Sequence, residues 1–177
     1  DPAKADGKKI RAEFGLQNRF IIGLVGRVSV EKGHAVLFSC LEKLIADMWE
    51  TMYESNGVGL AAPQINKNIR LFVMDSAQIF ANREEEDEVY ADAPGIKKVF
   101  INAKVLETGG TEWVYNEGCL SIPKIREDVT RAETVTLSYM DENFKSYTET
   151  FTGMTARIIL HEYDHIEGKL FIDYLKP

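Results

Sequence analysis

Apolar residues recur at three- and four-residue steps in "HAVLFSCLEKLIADMWETMYE", where Val36, Leu37, Cys40, Leu41, Leu44, Ile45 and Met48 share one helical face. That spacing predicts an amphipathic helix over 36–54, with Cys40 a small buried member of its apolar side. The turn and loop "ESNGVGLAAPQINKN" follows, and then "IRLFVMD" at 69–75, an apolar run of strand length. "KKVFINAKVLETGG" and "TEWVYNEGCLSIP" read as two further strands with glycine turns. "ETVTLSYMDENFKSYTETFTG" alternates on both sides of "DENF", the pattern of a hairpin. Gly153 starts a last helix over 154–166, apolar on nearly every side in "MTARIIL", and "KLFIDYL" follows it. Strands cluster, one helix comes late, and there is no β-α-β alternation. The expected class is therefore α+β, with antiparallel β-sheets packed around a central C-terminal helix that carries "HEYDH".

Residues 1–35 are charged and aperiodic, or loosely glycine-rich in "GLVGRVSVEKG", where no Gly-Lys-Ser/Thr completes a phosphate-binding loop. They are expected to form an N-terminal extension or edge segment ahead of a single domain over 36–177. The acidic, turn-rich stretch at 81–95 reads as a solvated loop. A length of 177 residues suits one domain with a substantial core, and 45% hydrophobic with 28% charged residues is ordinary for a soluble protein. A net charge of −7 argues against nucleic acid or an anionic membrane as the main partner. The longest apolar run, "FIIGLVG" at 20–26, is too short to span a bilayer and lacks a signal-peptide cleavage pattern. The two cysteines, Cys40 and Cys119, are expected as reduced thiols rather than a disulfide framework.

Chemistry concentrates in three stretches. In "HEYDH", residues 161–165, His161 and His165 stand four apart on a helix, about 6 Å from each other, and can offer imidazole nitrogens to one cation. Glu162 is rotated off that face, placed to reach a water on the cation rather than the cation itself. A third ligand is needed, and Glu167 lies too close along the helix to serve on the same side. Cys119 in "NEGCLSIP" is the better candidate, since a thiolate binds soft and borderline metals strongly. In "GVGLAAPQ", residues 57–64, two glycines and two alanines describe backbone that something approaches closely, and Gln64 brings an N–H suited to a developing oxyanion.

These stretches stand in the order and form of the three peptide deformylase motifs, G-φ-G-φ-A-A-x-Q, E-G-C-φ-S and H-E-φ-D-H, with φ apolar. The chain resembles that family over 41–177, without a mismatch in "GVGLAAPQ", "EGCLS" or "HEYDH". Residues 1–40 hold no counterpart of the family's opening D-P-x-L-R-like segment. The resemblance implies a catalytic domain that hydrolyses the N-formyl group of N-formylmethionyl peptides of nascent proteins, releasing formate. It implies one divalent cation on Cys119, His161 and His165, natively Fe(II), with zinc, nickel or cobalt as substitutes. Hydroxide on that cation would attack the formyl carbon with Glu162 as general base and then general acid, and the oxyanion would lie against the cation, Gln64 and the Leu120 backbone N–H.

Met154, Arg157 and Ile158 lie seven, four and three residues before His161 and are expected, with Val58 and Leu120, to line a slot for the methionine side chain. Arg157 would contribute its aliphatic stem. By resemblance the extended substrate would run along Val58–Gly59 and Gly118, with Arg126 at the mouth and Asp164 orienting a neighbouring group. The implied partner is a formylmethionyl peptide near the ribosome, met by a monomer in the bacterial cytoplasm or, in a eukaryote, an organelle. Two other readings use the same histidines: a zinc protease, and a structural metal site in a binding module. Cys119 separates the first, and an intact Glu162 and Gln64 argue against the second.

Overall fold

The computed structural model describes residues 34–81 and 94–175. The N-terminal segment expected at 1–35 and the acidic loop expected at 81–95 fall almost wholly outside the described residues. Two compact units divide the chain, Asp1–Cys40 and Leu41–Pro177, and the site is built within the second.

Helix α1 (His34–Glu54) leads to the short strand β1 (Gly59–Ala61), a 3-10 turn (Ala62–Ile65), β2 (Leu71–Asp75) and the one-turn helix α2 (Ala77–Ala81). Strands β3 (Lys97–Cys119), β4 (Ile122–Met140) and β5 (Ser146–Thr152) precede α3 (Gly153–Ile166) and a closing 3-10 turn, Phe171–Tyr174. Among the described residues the strands form one antiparallel sheet in sequence order, β1 to β5.

β2 is buried at every position because the sheet is covered on both faces there. Phe72 and Met74 point toward α3 and join Phe100, Val135, Leu137, Met154, Ile158 and Ile159. Leu71 and Val73 point the other way and pack with Ile45, Met48 and Met52 of α1. Phe72 and Phe100 stack at 4.6 Å between ring centroids. Residues Met154 to Ile159 of α3 are all buried, as the apolar "MTARIIL" leads one to expect, and each large apolar side chain there contributes roughly 1.5–3 kcal/mol.

Several expectations are corrected. The two strands expected at 97–110 and 111–123 are one, β3, because Gly109–Gly110 makes a bulge against β4 instead of a turn. Gly110 has φ +75, and a Cβ there would meet Glu133 at 2.8 Å. β4 is correspondingly long, beginning at Ile122 rather than at the expected hairpin. Gly59–Ala61, expected in a loop, pairs with β2. Cys40 is exposed, not buried: the covered side of α1 runs through Ile45, Met48 and Met52, and Cys40 lies about a third of a turn round from its centre.

The expected "DENF" turn joins β4 to β5, with the Asp141 carboxylate accepting the Asn143 and Lys145 backbone N–H groups. β5 runs into α3 without a loop: Thr152 is extended at φ −130, and Gly153 turns the chain at φ +58, a left-handed conformation that glycine takes without strain.

Candidate active site

Cys119 ends β3, one residue past Gly118, and faces α3 where the two histidines of "HEYDH" project from successive turns. The ligand-type atoms of Cys119, His161 and His165 all lie within 4.8 Å of one another. Cys119 Sγ is 3.2 Å from His165 Nε2, and the two imidazole rings sit 5.1 Å apart at 78°. One sulfur and two imidazole nitrogens converging on one point fit a borderline cation such as Fe(II), Zn, Ni or Co.

Burial alone would raise the Cys119 thiol, but hydrogen bonds to His161 and His165 outweigh it and hold the group down to about 5. Burial likewise opposes charge on His161, yet the Cys119 sulfur and the Glu117 carboxylate push it up to about 10. The pair thus favours a thiolate beside an imidazolium, the charge pattern a cation would replace.

Glu162 follows His161 and is 4% exposed. Burial, the largest influence, pushes its carboxyl up to about 7 against the pull of His161 and His165. Its Oε2 is buried without a hydrogen-bond partner among the described residues. β1 presses close: a Cβ on Gly59 would come 2.7 Å from the Glu162 carboxyl carbon, so only glycine leaves room. Gln64 is fixed at its carbonyl end, where Oε1 accepts the Ala61 N–H at 2.7 Å. Its amide nitrogen therefore points at the site, donating to Ser121 Oγ at 3.0 Å and lying 3.6 Å from Cys119 Sγ.

These groups border a cavity of about 520 Å³. Val58, Gly59, Gln64, Gly118, Cys119 and Leu120 line it, as do Met154, Ile158, His161 and Glu162, while His165 is buried behind. Arg126, expected at the mouth, lies over Gly118 with its guanidinium donating to Asn116 O and Oδ1. Arg157 also lines the cavity, but its guanidinium is turned inward and the residue is only 2% exposed.

What sequence reasoning missed is a buried ion network behind His161. Glu117 Oε2 sits 3.0 Å from His161 Nδ1. Arg131 donates its Nε to Glu117 Oε1 at 2.7 Å and a terminal N–H to Oε2 at 3.0 Å. Its other terminal nitrogen reaches Asp164 Oδ2 at 2.7 Å, and the Tyr174 hydroxyl donates to Asp164 Oδ1 at 3.0 Å. Asp164 thus orients a neighbour, as expected, and the neighbour is Arg131. Burial opposes the Glu117 charge, but His161 and Arg131 hold its carboxyl down to about 2. One signal pointed here: an imidazole ligand needs a partner for its second nitrogen, and Glu117 is two residues from Cys119.

Comparison with known proteins agrees with the geometry. The sequence profile of the polypeptide deformylase family matches residues 30–177. The peptide deformylase of Christiangramia forsetii is 53% identical over 136 residues, which cover 76% of this chain and 69% of that one. Among solved structures, a peptide deformylase from Legionella pneumophila is similar at a TM-score of 0.66 and 36% identity, over 88% of this chain and 79% of the other. A peptide deformylase from Synechococcus elongatus in complex with actinonin gives 0.66 and 36%, over 87% and 72%. No helix among the described residues is long and apolar enough to cross a membrane.

Proposed function

Since the chain belongs to the polypeptide deformylase family, enzymes that remove the N-formyl group from nascent peptides, we propose that it does so with Cys119, His161 and His165 holding one divalent cation and Glu162 moving the proton. The observation that carries this reading is the approach of one sulfur and two imidazoles within 4.8 Å, beside a buried carboxyl held near 7. When bound, the cation supplies Lewis acidity, bringing the pKa of water on it to about 7 and polarising the formyl oxygen.

The chain's own groups do the rest. Glu162 accepts a proton from the attacking water at its unpartnered Oε2 and returns it to the leaving amine nitrogen, base first and acid second. Burial and the missing partner at Oε2 favour the protonated carboxyl, while a cation on the neighbouring ligands would favour the carboxylate, so neither form is locked in. The tethered amide of Gln64 and the backbone N–H of Leu120 are the oxyanion donors. Because the Gln64 carbonyl is tied to Ala61, its N–H₂ end cannot swing away when charge develops.

Val58, Met154 and Ile158 offer an apolar wall for the methionine side chain. The extended peptide runs beside Gly59 and Gly118, which line the cavity, with Arg126 over Gly118 at the mouth. The products are formate and a peptide with a free N-terminal methionine. The natural cation in this reading is Fe(II), with nickel, cobalt or zinc as substitutes, and the natural substrate emerges from the ribosome.

Formate release from formyl-Met-Ala-Ser tests the reading, with protein loaded in turn with Fe(II), Ni(II), Co(II) and Zn(II). The expected result is formate from the loaded chain and none from Cys119→Ser, which also fails to retain the cation. No formate from the wild-type chain with any of the four would overturn the proposal.

A further inference from the structure

Arg157 stands where the cavity wall meets the ion network. Its guanidinium donates one terminal nitrogen to Glu117 Oε1 at 2.5 Å and to Val129 O at 3.1 Å, and the other to Trp113 O at 2.6 Å. The same plane lies on the Trp113 indole, 4.0 Å from the ring centroid. Residues of β3 and β4 thus fix it in one orientation, with 2% of its surface exposed.

Arg131 is shared between Glu117 and Asp164, so Arg157 brings the second positive charge to a pair of buried carboxylates. Arg131 already meets both oxygens of Glu117, which is a complete bidentate pair. A second guanidinium on the same carboxylate is costly to bury, and burial is the main reason its pKa is pulled below the ordinary value. Besides charge, the second cation adds direction. Arg157 and Arg131 converge on Oε1, and this leaves Oε2 turned toward His161 Nδ1 at 3.0 Å.

We propose that Arg157 is a positioning residue for the metal centre: by clamping Glu117 Oε1 it aims Oε2 at His161 Nδ1, which fixes the ring and leaves Nε2 for the cation. The inference rests on the ligand set proposed above. Arg157 is also part of the cavity wall, so the residue that shapes the substrate slot holds a metal ligand in register. Loss of a hydrogen-bonding partner behind a ligand imidazole lowers metal affinity by roughly 10- to 100-fold.

The test compares nickel release into excess chelator from the wild-type chain, Arg157→Met, Arg157→Lys and Arg70→Met. Arg70 serves as control because it pairs with Glu167 at the far end of α3, apart from Glu117. Arg157→Met is expected to release nickel roughly three- to tenfold faster, below the roughly 10- to 100-fold of losing the direct partner of the imidazole. Arg157→Lys is expected in between, since one ammonium can reach Oε1 but cannot also hold Trp113 O. Arg70→Met is expected to match wild type. Should Arg157→Met fail to fold, Arg157→Lys carries the comparison. Wild-type release rates in the Arg157 variants, or equal acceleration in Arg70→Met, would overturn the inference. The release rates decide it whatever the formate assay returns, so the two readings fail separately.

Discussion

Glu117 and Glu162 flank His161 and are equally hidden, each 4% exposed, yet their surroundings are opposites. Behind the ring, Glu117 is saturated by two arginines and an imidazole, and its carboxyl is held down to about 2. In front, Glu162 has an oxygen with no partner among the described residues, and burial holds its carboxyl up to about 7. Burial raises both. The difference lies in what each oxygen meets. One region uses its hydrogen bonds to hold the proposed ligand imidazole still, while the other withholds them from the group proposed to carry a proton.

The largest expected effect breaks the front region. Glu162→Gln keeps the shape and removes the proton carrier, so kcat for formate release should fall by about 10²- to 10⁴-fold. Metal content, measured by atomic absorption, should not change. A variant that loses its cation instead would make Glu162 part of the ligand frame and erase the contrast.

Next comes the region behind the ring. Arg131→Met leaves Asp164 as a buried carboxylate without a cation and Glu117 with only Arg157 and His161, with an expected loss of about 3–5 kcal/mol in denaturant unfolding. A loss below about 1 kcal/mol, the range of an exposed pair, would show that the network is solvated in solution.

The smallest effect sharpens the comparison at the thiol between the two regions. In a Cys40→Ser background without metal, the Cys119 thiolate forms as pH rises through about 5. Iodoacetamide alkylation should therefore stay level on acidification from neutrality and fall only on passing that value. A rate already declining just below 9.0, the ordinary thiol value, would contradict the thiolate–imidazolium pairing.

Legibility in the sequence followed how local each feature is. The periodicity of α1 and α3, the apolar run of β2 and the "DENF" turn are set by neighbouring residues, and all are present. The histidine pair could be placed because four residues on a helix is a fixed distance. Cys119 and Gln64 could be named from their chemistry, although their approach to α3 could not be measured. Gly109–Gly110 misled because a glycine pair serves a turn or a bulge equally well, and only pairing with β4 decides. The ion network was invisible for a related reason. Glu117, Arg131 and Arg157 come from β3, β4 and α3, and no spacing rule joins them. Cys40 shows the limit of periodicity itself, since a residue at the margin of an apolar stripe can fall on either side of it.

The junction at Thr152–Gly153 sets the angular phase of the last helix. With no slack between β5 and α3, one residue added there would rotate everything downstream by about 100° about the helix axis. Both imidazoles would then face away from the sulfur. The same residue added to the hairpin tip, at 141–145, would lengthen a surface turn and leave that angle untouched. Length variation in this half of the molecule is thus confined by geometry to the tip.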